Sequence, residues 1–426
     1  MDEANVSDSA SPSTSCIDIE VEVELSPIHP LAPPPYVPAS PFQSRVSTDI
    51  EDFSGVNSVS AQLSPLLGFT PSENVVQHRI NRLRVLKVLV GVTLIIIIGL
   101  LATFSFITKR GKTNLECKFN FTVSKDGTSN FATVSEAVEA SPSYSPHKVC
   151  IFIRKGEYHE TVKIGYEKIN LVLMGEGIGN TTISSNASRD GPVTTSPLAT
   201  LRINGKEFLA QDLTIINTEK YGLAVENRAE NSVLFRCKLE GANATLHIEG
   251  DKQFYRSCQL YGRNNLVFGD GRAFFQKCEF LSEKSYPEEM IVFSSQSSHL
   301  LTYRSGFVFH LCAFYVVDKF LNNSKTTFLG SSLGNHAFFV VMQSYLDASI
   351  GGYFLGTSPP NKTYYAIFDN VGRGATMANI PPFVHLLGDV KDASKFSLRV
   401  FLGGGNWIPP GVEYDLDLLK RRFKIL

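Results

Sequence analysis

The sequence predicts an all-β solenoid of stacked parallel coils, preceded by a disordered tail and one transmembrane helix. Three observations predict it. A cysteine-centred phrase recurs four times between 234 and 316, its first three cysteines 21 and 20 residues apart. A run of 20 residues, Val88–Ile107, carries no charge. The 77 residues at the N-terminus are acidic and proline-rich.

The N-terminal segment 1–77 holds eleven acids (Asp2, Glu3, Asp8, Asp18, Glu20, Glu22, Glu24, Asp49, Glu51, Asp52, Glu73) against one base, Arg45. It also holds ten of the 21 prolines. Such a chain buries too little apolar surface to offset its conformational entropy, so disorder is expected. Within it, Pro33-Pro34-Pro35-Tyr36 favours a polyproline II helix, the form that small Pro-binding modules recognise. The net charge of −1 gives no reason to expect a nucleic-acid partner.

The apolar run 88–107 is long enough to cross a bilayer core, and it begins too far from Met1 for an ordinary signal peptide. Arg79, Arg82, Arg84 and Lys87 precede it; Lys109, Arg110 and Lys112 follow it. That bias slightly favours a cytosolic N-terminus. Six Asn-x-Ser/Thr sequons lie after the span, at Asn120, Asn180, Asn186, Asn243, Asn322 and Asn361, as do six of the seven cysteines. Both distributions suit a C-terminal domain in the secretory lumen or outside the cell.

Residues 117–415 show short apolar runs punctuated by Gly, Asn and Asp. LFRCKLEG (234–241), FYRSCQLYG (254–262), FFQKCEFLS (274–282) and VFHLCAFYV (308–316) repeat one pattern. Cys237, Cys258 and Cys278 fall 21 and 20 residues apart, which puts one position on successive coils of a solenoid. These cysteines either pack in the core or, for Cys258 and Cys278 on adjacent coils, form a bridge. With no CxxC pair and no histidine cluster, a zinc site is not expected. A capping box at Thr133–Glu136 starts one short helix that stops before Pro142 and covers the open end of the first coil.

Several motifs in order identify a family. VSKDGTSNFATVSEAVEASP (123–142), IFIRKGEYHETVKI (151–164), LVLMGEGIGNTTI (171–183), FLAQDLTIINT (208–218), QFYRSCQLYG (253–262), FGDGRAFFQKC (268–278) and FLGGGNWIPPGV (401–412) resemble the plant pectin methylesterases. The resemblance implies a right-handed parallel β-helix of the pectin-lyase type, with a polysaccharide groove on one face. It implies hydrolysis of galacturonan methyl esters without metal or cofactor. One aspartate attacks the ester as a carboxylate and a second, protonated, serves the leaving group. A glutamine amide stabilises the oxyanion and an arginine holds the nucleophile.

This chain departs from that pattern at nearly every such position. The family's Gln-Asp-Thr-Leu element reads Asn243-Ala244-Thr245-Leu246, so the acid position is Ala244 and the oxyanion position Asn243. Val-Asp-Phe-Ile-Phe-Gly reads Asn264-Asn265-Leu266-Val267-Phe268-Gly269, which puts the neutral amide of Asn265 in place of the nucleophile. Leu-Gly-Arg-Pro-Trp reads Leu329-Gly330-Ser331-Ser332-Leu333, removing both the arginine and a sugar-stacking ring. The second groove glutamine aligns with Tyr221. Phe268 and Leu333 are the remaining groove positions. Asp251, Asp270 and His247 lie nearby, but two read as turn residues and the third as a structural strand histidine.

The reading that follows is a membrane-anchored, non-catalytic homologue in the cell wall or secretory pathway, binding pectin or a related wall polysaccharide. Two alternatives stand beside it: an active, atypical methylesterase, and a scaffold that acts through its cytosolic tail.

Overall fold

A computed structural model describes residues 117–186, 198–284, 289–296, 305–318, 326–334, 336–355, 363–376 and 380–419. The acidic tail, the apolar run 88–107, Asn322 and Asn361 lie outside the described residues. Among the described residues no helix is long and apolar enough to cross a membrane.

The chain winds into a right-handed parallel β-helix built from three sheets of eleven, eight and eight strands. Each coil gives one short strand to each sheet in turn. Gln253–Arg256, Gln259–Gly262 and Val267–Gly269 make one such coil. The same three positions of the next coil pair with them in parallel register. Strands of the eleven-stranded sheet such as Ser232–Phe235 and Gly306–His310 are buried on both faces and so read as runs rather than as alternation.

The repeated phrase encodes the corner of the coil. The residue before each cysteine is left-handed: Arg236 (φ 51°), Ser257 (52°), Lys277 (54°) and Leu311 (58°). Non-glycine residues adopt this conformation at a cost of about 1–2 kcal/mol, so the corner must be fixed by its surroundings. The amide of each corner residue donates to the next coil, Arg236 to Arg256, Ser257 to Gln276, Lys277 to His310 and Leu311 to Met342. The turn then drives the cysteine inward, where Cys237, Cys258, Cys278 and Cys312 form a ladder at 0–1 % exposure.

These four cysteines are free thiols. Of the two alternatives for Cys258 and Cys278, core packing holds and the bridge is not formed. Each thiol instead donates to a backbone carbonyl, Cys258 to Leu234 and Cys278 to Tyr255. The disulfide joins Cys117 to Cys150 instead, tying the first strand of the large sheet to the second. Aromatic rungs continue the internal ladder. Tyr255, Phe275 and Phe309 stack at 4.7 and 5.0 Å, and Phe280 and Phe314 at 4.7 Å.

The first end and one face of this arrangement are covered. The helix Val134–Ala140 forms with its complete capping box, and it buries Val134, Ala137 and Val138 against the first coil. The outer face of the eleven-stranded sheet is covered by the C-terminal segment, through Leu398, Leu402, Ile408, Val412 and Leu418, with Trp407 packed at its margin. Two sheet glutamines fasten that segment. Gln276 exchanges hydrogen bonds with the Asp415 backbone (2.8 and 2.9 Å), and Gln343 does the same with Leu419 (3.1 and 2.8 Å).

Candidate functional site

The eight-stranded sheet that runs from Val162–Ile164 to Gly352–Phe354 carries the positions singled out in the sequence. Its register aligns one residue per coil into a single row: Lys163, Arg202, Glu226, His247, Phe268, Ser295 and Ser331. Asn243 and Ala244 lead into the strand Leu246–Ile248, and Asn265 leads into Val267–Gly269. Val225, Leu246 and Val267 are register partners, and the positions two residues before them in sequence, Leu223, Ala244 and Asn265, make a second row along the chain.

Asn265 and Ser331 are brought together. Ser295 Oγ donates to Asn265 Oδ1 at 2.6 Å, and Ser331 Oγ lies 2.7 Å from Ser295 Oγ. A hydroxyl has one proton, so with Ser295 donating to the amide, Ser331 is the donor to Ser295. The result is a one-way chain of neutral groups, Ser331 to Ser295 to Asn265. The Asn265 backbone is left-handed (φ 50°), a conformation asparagine tolerates better than most residues. Its amide donates to the Val292 carbonyl at 2.7 Å, while the Asn264 side chain braces the turn by accepting from Asn265 and Val292 (3.0 and 2.8 Å).

Ala244 presents only a methyl group beside this chain, and Thr245 turns its hydroxyl away to the Tyr261 carbonyl at 2.8 Å. Tyr221 is not part of either row. It sits in the turn before Leu223–Asn227 and is 68 % exposed. Leu223, two residues on, is buried. Phe268 is half-buried and stacks face to face on His247, with ring centres 4.5 Å apart and planes 7° off parallel. Leu333 stands exposed at the far edge, its amide on the Gln296 carbonyl.

Below His247 lies a charged cluster that reading the sequence missed. Glu226 is fully buried and held by two guanidiniums, Arg202 Nε at 2.5 Å and Arg228 Nε at 2.7 Å. Arg228 also reaches Glu249 at 3.0 Å. Burial opposes the Arg228 cation, but the Glu226 and Glu249 charges overcome it and hold its pKa above the ordinary value. Burial pushes the Glu249 carboxyl up and the His247 imidazole down. The clue in the sequence is the spacing of Arg202, Glu226, His247 and Phe268, each one coil from the next.

Glu226, His247 and Glu249 place donor atoms within 4.8 Å of one another. Both Glu226 oxygens are already committed to arginines, and two guanidiniums border the cluster. That is the environment of an ion-pair network rather than of a divalent cation. Asp251 pairs with Arg272 at 2.5 Å, and Asp270 is exposed. Neither supplies a carboxylate to the Ala244–Asn265 row.

A family model described as Pectinesterase matches residues 120–405. The chain belongs to the pectinesterase family. A probable pectinesterase/pectinesterase inhibitor of Arabidopsis thaliana is 33 % identical over 299 residues, covering 67 % of this chain and 54 % of that protein. The match thus spans little more than half the length of that relative. The fold superposes on the pectin methylesterase from carrot with a TM-score of 0.65 at 24 % identity, covering 72 % of this chain and 99 % of that one. An aspartate-to-alanine variant of a pectin methylesterase, solved in complex with a hexasaccharide, gives a TM-score of 0.58 at 20 % identity, covering 69 % and 99 %. The pectinesterase fold is thus retained in this chain, around a row that holds Ala244 and Asn265.

Proposed function

We propose that this pectinesterase-family chain is a non-catalytic homologue that holds pectin or a related wall polysaccharide in its groove. In this reading residues 88–107 anchor it in a membrane, with the tail 1–77 in the cytosol. The observation that carries the proposal is the Ser331–Ser295–Asn265 chain. Ester hydrolysis by the family mechanism needs a carboxylate nucleophile, a group that fixes it and a proton donor for methanol. Here an amide, two hydroxyls and the Ala244 methyl fill those places, and hydrogen bonds satisfy the polar ones. An arginine left without its aspartate would be an unpaired charge; the loss of both leaves a stable neutral site.

Binding is supported by the Phe268–His247 stack, which offers a half-buried aromatic surface to the apolar face of a sugar ring. Arg202 and Arg228 stand alongside it, about one-third exposed (28 % and 31 %). The relative solved with a hexasaccharide shows that this fold accommodates such a ligand.

The test is to incubate the full chain, in mild detergent, with methyl-esterified pectin and to measure retention on the polymer and free methanol together. Retention without methanol is the expected result. Methanol release above a no-protein control would establish the active reading instead, and absence of retention would remove the polysaccharide.

A further inference from the structure

We infer that Asn243 carries an N-linked glycan, and that this glycan stands at the edge of the groove beside the Ala244–Asn265 row. The inference rests on the proposed placement of the domain in the secretory lumen.

The local geometry suits the modification. Asn243-Ala244-Thr245 is a complete acceptor sequence. Asn243 is half-exposed. Its backbone carbonyl accepts from Arg263 and Asn264 (3.1 and 3.3 Å), which places it directly against the turn that carries Asn265. Its side-chain amide, by contrast, enters no hydrogen bond with the described residues, so replacing one amide proton by a sugar breaks none of the contacts described. Asn180 differs, because its amide nitrogen donates to the Glu176 carbonyl at 3.1 Å.

Thr245 limits when the reaction occurs. Its side chain is fully buried and its hydroxyl is committed to Tyr261. The acceptor sequence is therefore readable only before this coil closes, on the entering chain. There the Asn243 amide nitrogen attacks the anomeric carbon of an oligosaccharide carried on a polyprenyl diphosphate. The new C–N bond replaces the C–O bond to the diphosphate, which leaves with the bonding electrons, and a base of the transferring enzyme takes the amide proton. Once the coil folds, the half-exposed Asn243 directs the glycan outward, over a site where an active enzyme would need an open path to its ester.

The experiment is glycopeptide mapping of the full chain from a eukaryotic secretory host, reading the Asn-to-Asp mass mark left by enzymatic deglycosylation. The mark is expected on Asn243, and Asn243→Gln should lose one glycan's gel shift while keeping the wild-type melting temperature. Unmodified Asn243 on a chain glycosylated at any of the other five acceptor sequences overturns the inference and leaves the luminal placement standing. A chain with no glycan at any of the six overturns both. A second readout is retention on pectin: Asn243→Gln should bind several-fold more tightly than the glycosylated chain, and equal binding would show that the glycan does not stand over the groove.

Discussion

Asn265 and Ser331 are joined through one hydroxyl, that of Ser295, with oxygen-to-oxygen distances of 2.6 and 2.7 Å. In the family pattern these two positions are a carboxylate nucleophile and the arginine that holds it. Asn265→Asp would keep the hydrogen bond from Ser295, so the variant should fold. Nothing would neutralise the new charge, and Ala244 would still lack a proton to give. Methanol release by Asn265→Asp is therefore expected to stay at background. The fourfold change Asn243→Gln, Ala244→Asp, Asn265→Asp and Ser331→Arg should recover activity only in part, since misplacement by about 1 Å costs on the order of a hundredfold. Near-family activity from Asn265→Asp alone would show that the other groups were never missing.

The charged cluster gives a stability prediction. Glu226 is buried between Arg202 and Arg228. Glu226→Ala leaves two guanidiniums facing each other, and because both are partly exposed the cost falls at the low end for a broken buried pair, roughly 2–3 kcal/mol. Urea denaturation measures it. A loss below roughly 0.5 kcal/mol, the size of an ordinary surface change, would mean that water already screens the arginines.

A pH dependence follows from His310. It is buried between Gln276 (3.1 Å) and Gln343 (3.2 Å), the two glutamines that fasten the C-terminal segment. Burial pushes its pKa down to about 4; Gln343 and Asp415 pull the other way, with Arg256 and Lys277 opposing the charge. The folded state thus keeps His310 neutral where the unfolded chain binds a proton. Its contribution is complete above the ordinary histidine value and is lost as pH falls from about 6.5 towards 4, by up to ~3 kcal/mol. Urea midpoints measured across that window should fall with pH in the wild type, and the slope should flatten in His310→Gln. An unchanged slope in the variant would assign the effect to other groups.

The cysteine ladder predicts a chemical result. Burial raises the Cys237, Cys258 and Cys278 thiols well above the ordinary range, so they are inert as nucleophiles in the folded protein. Alkylation under native conditions should miss all three; alkylation in denaturant without reductant should label them and Cys312, while the Cys117 and Cys150 peptides stay linked. A linked Cys258–Cys278 peptide would contradict the ladder.

Much of this was legible in sequence because a solenoid repeats its instructions. The phrase around Cys237, Cys258 and Cys278 carries the apolar rung, the bend and the inward cysteine in one string, and the period followed directly. Thr133 and Glu136 announced the helix for an equally local reason. What the sequence did not reveal depends on facing between coils. Spacing puts Cys258 and Cys278 on neighbouring rungs, yet it does not tell that each thiol donates to a carbonyl of the preceding coil. Tyr221 falls in the turn before Leu223–Asn227, and its exposure there depends on where the coil bends, which no local motif states. The Glu226 cluster is assembled from three coils, so no local motif contains it.

The central claim is that the Ala244–Asn265–Ser331 site performs no ester hydrolysis. The most direct measurement compares methanol release from methylated pectin by the full wild-type chain and by Asn265→Ala, at high protein concentration and long incubation, beside a family enzyme. The account predicts that wild type and Asn265→Ala match each other and the no-protein control. Wild-type release that exceeds Asn265→Ala would show the site to be catalytic and would contradict it.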